Sequence, residues 1–216
     1  MKTILAFGDS LTYGANPIKN APRHAFEDRW PSVLEAGLGG KARVIAEGLG
    51  GRTTAFDDWT APSDRNGARI LPTLLASHSP LDLVVIMLGT NDLKPGVCGV
   101  PREVSLGMKR LVQIVRGQFA GLGEPIPQVI IVSPPHLCET DSEEMKQTFN
   151  NFDLRIEQSK SLAALYATRA EELGVPFFDA STVSKAHRAD GVHLDPANTR
   201  AIGEGLVPLV KSTLGL

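Results

Sequence analysis

A serine, a histidine and an aspartate occur in this sequence in a pattern that could activate a nucleophile. Ser10 follows an apolar run that ends in Gly8-Asp9, and Asp190 precedes His193 by three residues near the other end of the sequence. A serine becomes a useful nucleophile when a histidine takes its proton and an acceptor holds the other ring nitrogen. Asp190 and His193 could form that orienting pair, with His193 as the base for Ser10. The chemistry open to such a set is acyl transfer.

Acyl transfer also needs hydrogen-bond donors for the negative charge that develops on the carbonyl oxygen. We expect these donors to be the backbone N–H groups of Ser10 and Gly51 and the side-chain amide of Asn91. One such donor typically lowers the barrier by about 3–4 kcal/mol, so the donors matter as much as the nucleophile. Asp9 and Asp92 adjoin Ser10 and Asn91 in the sequence, and we expect them to support the site.

The elements that would position these groups are predicted by the alternation of short apolar runs with longer helical patterns. This alternation is typical of β-α-β units and a mostly parallel sheet. The predicted strands are Thr3–Phe7, Arg43–Glu47, Leu83–Leu88, Val129–Ser133 and Pro176–Asp179. The predicted fold class is α/β, a flavodoxin-like three-layer α/β/α sandwich with a five-stranded parallel sheet. The carboxyl ends of parallel strands meet at one edge, so the candidate groups become neighbours there.

Helices are predicted between these strands from apolar residues spaced three and four apart and from capping signals. The predicted helices are Pro31–Leu38, Ala68–Ser77, Pro101–Ala120, Asn151–Leu173 and a last one from Asp195-Pro196 toward Lys211. Pro72 interrupts the second of these patterns. The last helix has a capping aspartate followed by a proline at its first position.

Long loops are predicted at Ala15–Arg29, Arg52–Asn66 and Pro134–Thr148, each after the carboxyl end of a predicted strand or its first turn. Connections of this length are usually functional or disordered. We expect them to wall a pocket, with the apolar lining drawn from Phe26, Phe56 and Trp59. Ordinary surface loops are the alternative.

Composition bounds the class of protein. The sequence has 216 residues, which predicts a single domain over 1–216, and its 22 basic and 24 acidic residues nearly balance. That balance favours neither a nucleic acid nor a membrane as partner. Cys98 and Cys138 match no metal-site or redox spacing, which favours a reducing compartment. With no signal-peptide pattern and no membrane-span pattern, we expect a cytoplasmic protein.

Four blocks of the sequence together resemble the SGNH, or GDSL-type, hydrolase superfamily. These blocks are Gly8–Leu11, Glu47–Thr54, Ile86–Asp92 and Asp190–His193. The resemblance covers almost the whole chain, and the second and third blocks look like the bacterial arylesterase and acyltransferase branch. It implies a serine esterase that hydrolyses small aryl or short-chain acyl esters through an acyl-serine intermediate, with acyl transfer to alcohols as a second outcome. It implies no cofactor and no metal, a small ester as substrate, and assembly into a homo-oligomer in some relatives.

By position, the resemblance implies Ser10 as nucleophile, His193 as base and Asp190 as its orienter, with Gly51 and Asn91 completing the oxyanion hole. The sequence departs from the superfamily at one place in the second block. An asparagine usually stands two residues before the glycine of this block, and here that residue is Leu49. Gly50 is therefore the alternative to Gly51 as the backbone donor.

Other classes remain open at this point. No serine lies in a Gly-x-Ser-x-Gly elbow, and no phosphate-binding loop or dinucleotide fingerprint is present, so nucleotide cofactors are not expected. A metal-dependent phosphoesterase could use Asp9, Asn91, Asp92 and His193 as ligands, although this leaves Ser10 without a task. A non-catalytic small-molecule-binding module on the same fold is the third alternative.

Overall fold

A five-stranded parallel sheet forms the centre of the molecule. The computed structural model describes residues 1–216, apart from the side chain of Leu122. The strands are β1 (Lys2–Gly8), β2 (Ala42–Gly48), β3 (Leu83–Met87), β4 (Gln128–Ser133) and β5 (Phe177–Asp179). Their order across the sheet is β2-β1-β3-β4-β5, and every neighbouring pair is parallel. The predicted α/β fold class and strand count are therefore confirmed.

Helices cover both faces of this sheet. They are α1 (Ser10–Tyr13), α2 (Trp30–Gly37), α3 (Gly67–His78), α4 (Pro101–Leu122), α5 (Glu143–Phe149), α6 (Phe152–Leu173) and α7 (Pro196–Leu214). Successive side chains of a strand point to opposite faces, so β1 sends Ile4 and Ala6 into one apolar core and Leu5 and Phe7 into the other. The first core is closed by α2 and α7, and the second by α3, α4 and α6.

One predicted loop contains a helix that sequence patterns did not indicate. The stretch Pro134–Thr148 includes most of α5, so its prediction as a loop is wrong in this part. Ser142 caps this helix by accepting a hydrogen bond from the N–H of Met145. The helix has only seven residues, which is too short for a helical period to stand out. Pro72 interrupts the apolar pattern of the predicted helix Ala68–Ser77, but in the structure it lies inside a continuous α3.

The turn after β1 explains why its sequence is Gly-Asp-Ser. A Cβ atom on Gly8 would lie 2.0 Å from the Thr12 hydroxyl oxygen, so the strand can pass this close to α1 only with glycine. Asp9 then caps α1 by accepting the N–H of Leu11 at 2.9 Å. Ser10 is thereby fixed at the first position of the helix, at the carboxyl end of β1. The strand order reverses between β1 and β3, and ligands of open α/β sheets bind at such a point.

The helices were also compared with the length and apolarity that a lipid bilayer requires. Within the described residues, no helix combines the length and the apolar character needed to span a membrane.

Candidate active site

Ser10, His193 and Asp190 form a continuous line of hydrogen bonds. The Ser10 Oγ lies 2.9 Å from Nε2 of His193, and Nδ1 of His193 lies 2.5 Å from Oδ2 of Asp190. With its proton on Nδ1, the ring donates to Asp190 and presents a free lone pair of Nε2 to the serine hydroxyl. The structure therefore brings together the three residues that the sequence paired, in the geometry that proton transfer from Ser10 requires.

The loop that carries Asp190 and His193 is folded around the aspartate carboxylate. Oδ1 of Asp190 accepts the backbone N–H groups of Val192 and His193, each at 2.9 Å. Gly191 has a φ of +76°, and a Cβ there would lie 2.6 Å from the carbonyl oxygen of Cys138. Only glycine fits this close contact and left-handed backbone. The histidine is thus held by its own loop before any substrate binds.

The glycine turn after β2 presents backbone donors instead of side chains. The N–H of Arg52 donates to the carbonyl of Leu49 at 3.0 Å, and Gly51 between them has a φ of +81°, as the third residue of a type II turn requires. A Cβ on Gly50 would lie 3.9 Å from the Cβ of Ser10, so this turn borders the serine. Among the hydrogen bonds of the described residues, none uses the N–H of Gly50 or Gly51.

Asn91 directs its side-chain amide into the same region from the end of β3. It is buried and begins a short 3₁₀ helix, Asn91–Leu93. Its Nδ2 donates to the carbonyl of Arg52 at 3.1 Å and faces Oδ2 of Asp9 at 3.4 Å. The second contact is long for a hydrogen bond. The amide is therefore held by the carbonyl of Arg52 and makes only a long second contact, with Asp9.

Two fully buried carboxylates, Asp9 and Asp92, lie next to Ser10 and Asn91 in the sequence. Burial raises the pKa of Asp9 to about 6, against the opposing hydrogen bond from the N–H of Leu11. Burial also raises the pKa of Asp92 to about 6, although the Thr54 hydroxyl and N–H both donate to it. Asp92 thus joins the segment after β2 to the segment after β3. Both residues are buried beside Ser10 and Asn91, their neighbours in the sequence, and their support of the site stays a prediction.

Arg52 is a structural member of the site that was not singled out from the sequence. Its buried guanidinium donates to the carbonyls of Gly8, at 2.9 Å, and of Glu47, and it lies 4.3 Å above the ring of Phe7. Burial lowers the pKa of Arg52 to about 10. Since this side chain ties the ends of β1 and β2 together, it fixes the distance between Ser10 and the glycine turn. The only sequence signal was its place directly after two glycines.

A cavity of about 470 Å³ opens beside His193. Its walls come from residues 13–23, from residues 142–145 and from residues 189–193. Two of the three predicted long stretches therefore wall it, while Arg52–Asn66 contributes no residue to it. The predicted aromatic lining is wrong: Trp59 and Phe26 are 87% and 67% exposed and border other surface hollows. Phe56 instead packs toward Gly107 of α4.

Three of the four side chains proposed as metal ligands in the phosphoesterase alternative are engaged in other hydrogen bonds. His193 bonds to Ser10 and Asp190, Asp92 accepts from Thr54, and Asp9 accepts from a backbone N–H. Within the part of the chain that the structure describes, no three histidine, cysteine or acidic side chains gather as a metal site would require.

Comparison with known proteins places this geometry in a family. A family model described as the GDSL-like lipase/acylhydrolase family matches residues 6–201. A carbohydrate acetylesterase family member from Sinorhizobium meliloti is similar over 100% of both chains, with 52% identity and a TM-score of 0.95. The aryl esterase of M. smegmatis is 43% identical over 99% of this chain and 100% of its own, with a TM-score of 0.92.

A second carbohydrate acetylesterase of Sinorhizobium meliloti is 38% identical over 98% of this chain and 99% of its own, with a TM-score of 0.90. A search of curated proteins gave no match. The resemblance to the SGNH superfamily is therefore confirmed, and with it the prediction of an enzyme. The chain belongs to the GDSL-like lipase/acylhydrolase family and is a carboxylic ester hydrolase.

Proposed function

We propose that the protein is a serine esterase that hydrolyses small acyl esters through an acyl-serine intermediate on Ser10. The observation that carries this proposal is the hydrogen-bonded line from Ser10 through His193 to Asp190, with spacings of 2.9 and 2.5 Å. In this proposal, Ser10 is the nucleophile, His193 is its base and Asp190 orients that base. Such a set has no evident use in a protein that only binds its ligand.

In the first half of the reaction, the Ser10 Oγ attacks the carbonyl carbon and its proton passes to Nε2 of His193. The bond from the carbonyl carbon to the alcohol oxygen then breaks, and the alcohol leaves with that proton. In the second half, His193 takes a proton from water as the water oxygen attacks the acyl-serine. The serine leaves with the proton, and the carboxylic acid is released. Asp190 stabilises the imidazolium in both halves without accepting the proton.

Hydrogen-bond donors that follow three of the strands are proposed to stabilise the negative charge on the carbonyl oxygen. These donors are the Ser10 N–H, an N–H of the glycine turn and the amide of Asn91, which follow β1, β2 and β3 respectively. Gly51 is our choice for the turn donor, because its position in the second sequence block matches the superfamily. Gly50 is the alternative, because the turn leaves the N–H groups of both glycines unused. Donors that are already oriented cost no reorganisation when the charge develops.

The cavity beside His193 is assigned to the alcohol part of the ester. His193 must deliver its proton to the leaving oxygen, so the alcohol must lie on the histidine's side of Ser10. The lining includes Asn16, Asn20 and Ser142 together with Met145 and part of Tyr13, a mixture that suits a ring bearing hydroxyl groups or an aryl ring. The names of the similar structures, aryl esterase and carbohydrate acetylesterase, support an acetyl ester of such an alcohol.

Acyl transfer is proposed as a second outcome at the same site. A small alcohol bound in this cavity would stand where the leaving alcohol stood, and His193 could take its proton as readily as that of water. The acyl group would then pass to the new alcohol and form a new ester.

The serine mechanism is tested by covalent labelling. An organophosphonate ester should inactivate the protein and add one phosphonyl group, which peptide mass spectrometry should find on Ser10. The Ser10→Ala variant should remain unlabelled. A label on another residue with Ser10 unmodified would contradict the proposal.

Metal dependence is tested in parallel. Excess chelator should leave hydrolysis of 4-nitrophenyl acetate unchanged. Activity that disappears with chelator and returns with a divalent cation would favour the phosphoesterase alternative.

A further inference from the structure

Two cations stand beside the proposed oxyanion donors and take no part in the proton path. A Cβ on Gly51 would lie 2.3 Å from Nη1 of Arg65, so the guanidinium packs directly against this glycine. Lys94 follows Asn91 by three residues, and its Nζ lies 5.7 Å from the centre of the Phe149 ring. The segment after β2 thus places one positive charge against Gly51. The segment after β3 carries a second positive charge, close enough to Arg65 for the two cations to interact electrostatically.

Neither cation has a carboxylate partner of its own. Among the described residues, no ion pair within 4.0 Å includes Arg65 or Lys94. Nε of Arg65 is buried and has no hydrogen-bond partner in the described part of the chain. The Lys94 side chain is half-buried, and this burial lowers its pKa. Buried charges normally have a partner, because desolvation is costly.

The nearby acidic groups are held by other donors. Asp58 interacts electrostatically with both cations, and its pKa is lowered mainly by the Thr60 hydroxyl, which donates to it at 2.6 Å. Asp9 and Asp92 also act on Lys94 from a distance, but they accept the hydrogen bonds of the site described above. Direct contacts to Arg65 and Lys94 are therefore left for a ligand.

The proposed reaction indicates which part of the bound ester lies near Arg65 and Lys94. The alcohol lies on the side of His193, and the carbonyl oxygen faces Gly51 and Asn91. The acyl chain must take the remaining direction, away from the histidine and past the ends of β2 and β3. Arg65 and Lys94 stand on those two ends, so they border the acyl chain and not the alcohol.

We propose that Arg65 and Lys94 form an anion-binding acyl subsite, through which the enzyme accepts acyl groups that end in a carboxylate. This inference rests on the proposed function, since it takes its directions from the acyl-serine reaction. A carboxylate at this place would receive charge-assisted hydrogen bonds from two groups that otherwise lack them. The substrate class is the half-ester of a short dicarboxylic acid.

The test compares two esters that differ in charge but not in shape. The anionic substrate is the 4-nitrophenyl half-ester of glutaric acid, and the neutral one is 4-nitrophenyl 5-methylhexanoate, whose branched end has the outline of a carboxylate. The measured quantity is the ratio of kcat/KM for the anionic ester to that for the neutral ester. This ratio cancels effects on folding and on the chemical step, which both substrates share.

Charge removal should lower this ratio, and charge conservation should keep it. We expect Arg65→Gln and Lys94→Met each to lower the ratio about tenfold or more, in line with a lost hydrogen bond between charged groups. Arg65→Lys and Lys94→Arg should keep it within about threefold. Arg69→Gln is the matched control, because Arg69 lies in the next segment and pairs with Asp57 and Asp64; its ratio should not change.

Three results would overturn the subsite. A wild-type enzyme that hydrolyses the neutral ester but not the anionic one would do so, and the serine esterase proposal would survive. An equal loss on both esters in Arg65→Gln and Lys94→Met would show that the cations only support the oxyanion turn. An equal fall of the ratio in Arg69→Gln would show a general charge effect. If the wild type hydrolyses neither ester nor 4-nitrophenyl acetate, the proposed function fails and the subsite fails with it.

Discussion

Ser10, His193 and Asp190 are joined by side-chain hydrogen bonds of 2.9 and 2.5 Å, whereas the turn at Gly50 and Gly51 keeps backbone N–H groups that no described residue accepts. The first region is complete without a ligand, and the second is held open for one. The difference follows from their proposed tasks. Groups that pass a proton must already be aligned, while groups that stabilise a developing charge must keep their donors unused until it appears.

The aligned region should be the more sensitive of the two to loss of one charge. Asp190→Asn should lower kcat on the order of 10⁴-fold, because the imidazole loses the anion that fixes its tautomer and stabilises its charged form. The asparagine oxygen can still accept the N–H groups of Val192 and His193, so the loop should keep its fold. Steady-state kinetics with 4-nitrophenyl acetate and a thermal unfolding curve measure both. Turnover near that of the wild type would reduce Asp190 to a loop residue.

In the open region, removal of one hydrogen-bond donor should slow the reaction. Asn91→Ala should lower kcat on the order of 10²–10³-fold with a smaller effect on KM, since the amide's bond to the substrate oxygen strengthens in the transition state. The measurement is kcat and KM for a neutral acetate ester. An effect on KM alone would assign Asn91 to substrate binding and remove it from the oxyanion hole.

Alanine substitutions at the two glycines of the turn, Gly50 and Gly51, should have different effects on kcat. Gly51→Ala should lower kcat roughly tenfold, because alanine is strained at a φ of +81° and its methyl group would displace Arg65. Gly50→Ala should change kcat by less than about threefold, since its Cβ would meet Ser10 at an ordinary contact distance of 3.9 Å. Kinetics of both variants on one ester provide the test. A larger loss in Gly50→Ala would make Gly50 the residue that the donor turn depends on.

The buried carboxylate of Asp92, next to Asn91 in the open region, should affect the pH dependence of stability more than activity. Because burial raises the pKa of Asp92 from 3.8 to about 6, the folded protein keeps a proton that the unfolded chain releases between these pH values. The stabilisation is full below about pH 4 and is lost as the pH rises through about 6. Asp92→Asn does not titrate, so its free energy of unfolding relative to the wild type should rise by up to about 3 kcal/mol from pH 4 to pH 7.

Denaturant unfolding of both proteins at the two pH values measures this difference. The comparison cancels the titrating groups that do not interact with Asp92. Asp9 does interact with it, so the same pair of measurements is made in the Asp9→Asn background. A difference that is constant with pH would show that Asp92 has an ordinary pKa in the folded protein.

Sequence patterns predicted the parts of this molecule that depend on local order. Apolar runs such as Leu83–Met87 are buried on both faces and leave few alternatives to a central strand. Ser10 and His193 could be paired because parallel strands bring their carboxyl ends together. Two of the stretches that wall the cavity were predicted, but its aromatic lining was not, because the exposure of Trp59 depends on how its loop folds back. The contacts of Arg52 and Arg65 with the ends of β1 and β2 likewise exist only in the folded chain.

The pairing of Ser10 with His193 joins residues 183 positions apart. Forming that contact requires closure of nearly the whole chain, so it comes late in folding for reasons of chain entropy. A nascent chain exposes its serine long before the histidine has been synthesised, and a partly folded chain lacks an activated nucleophile. The appearance of ester hydrolysis during refolding should therefore report the last step of assembly, and it should lag behind the recovery of helical circular dichroism.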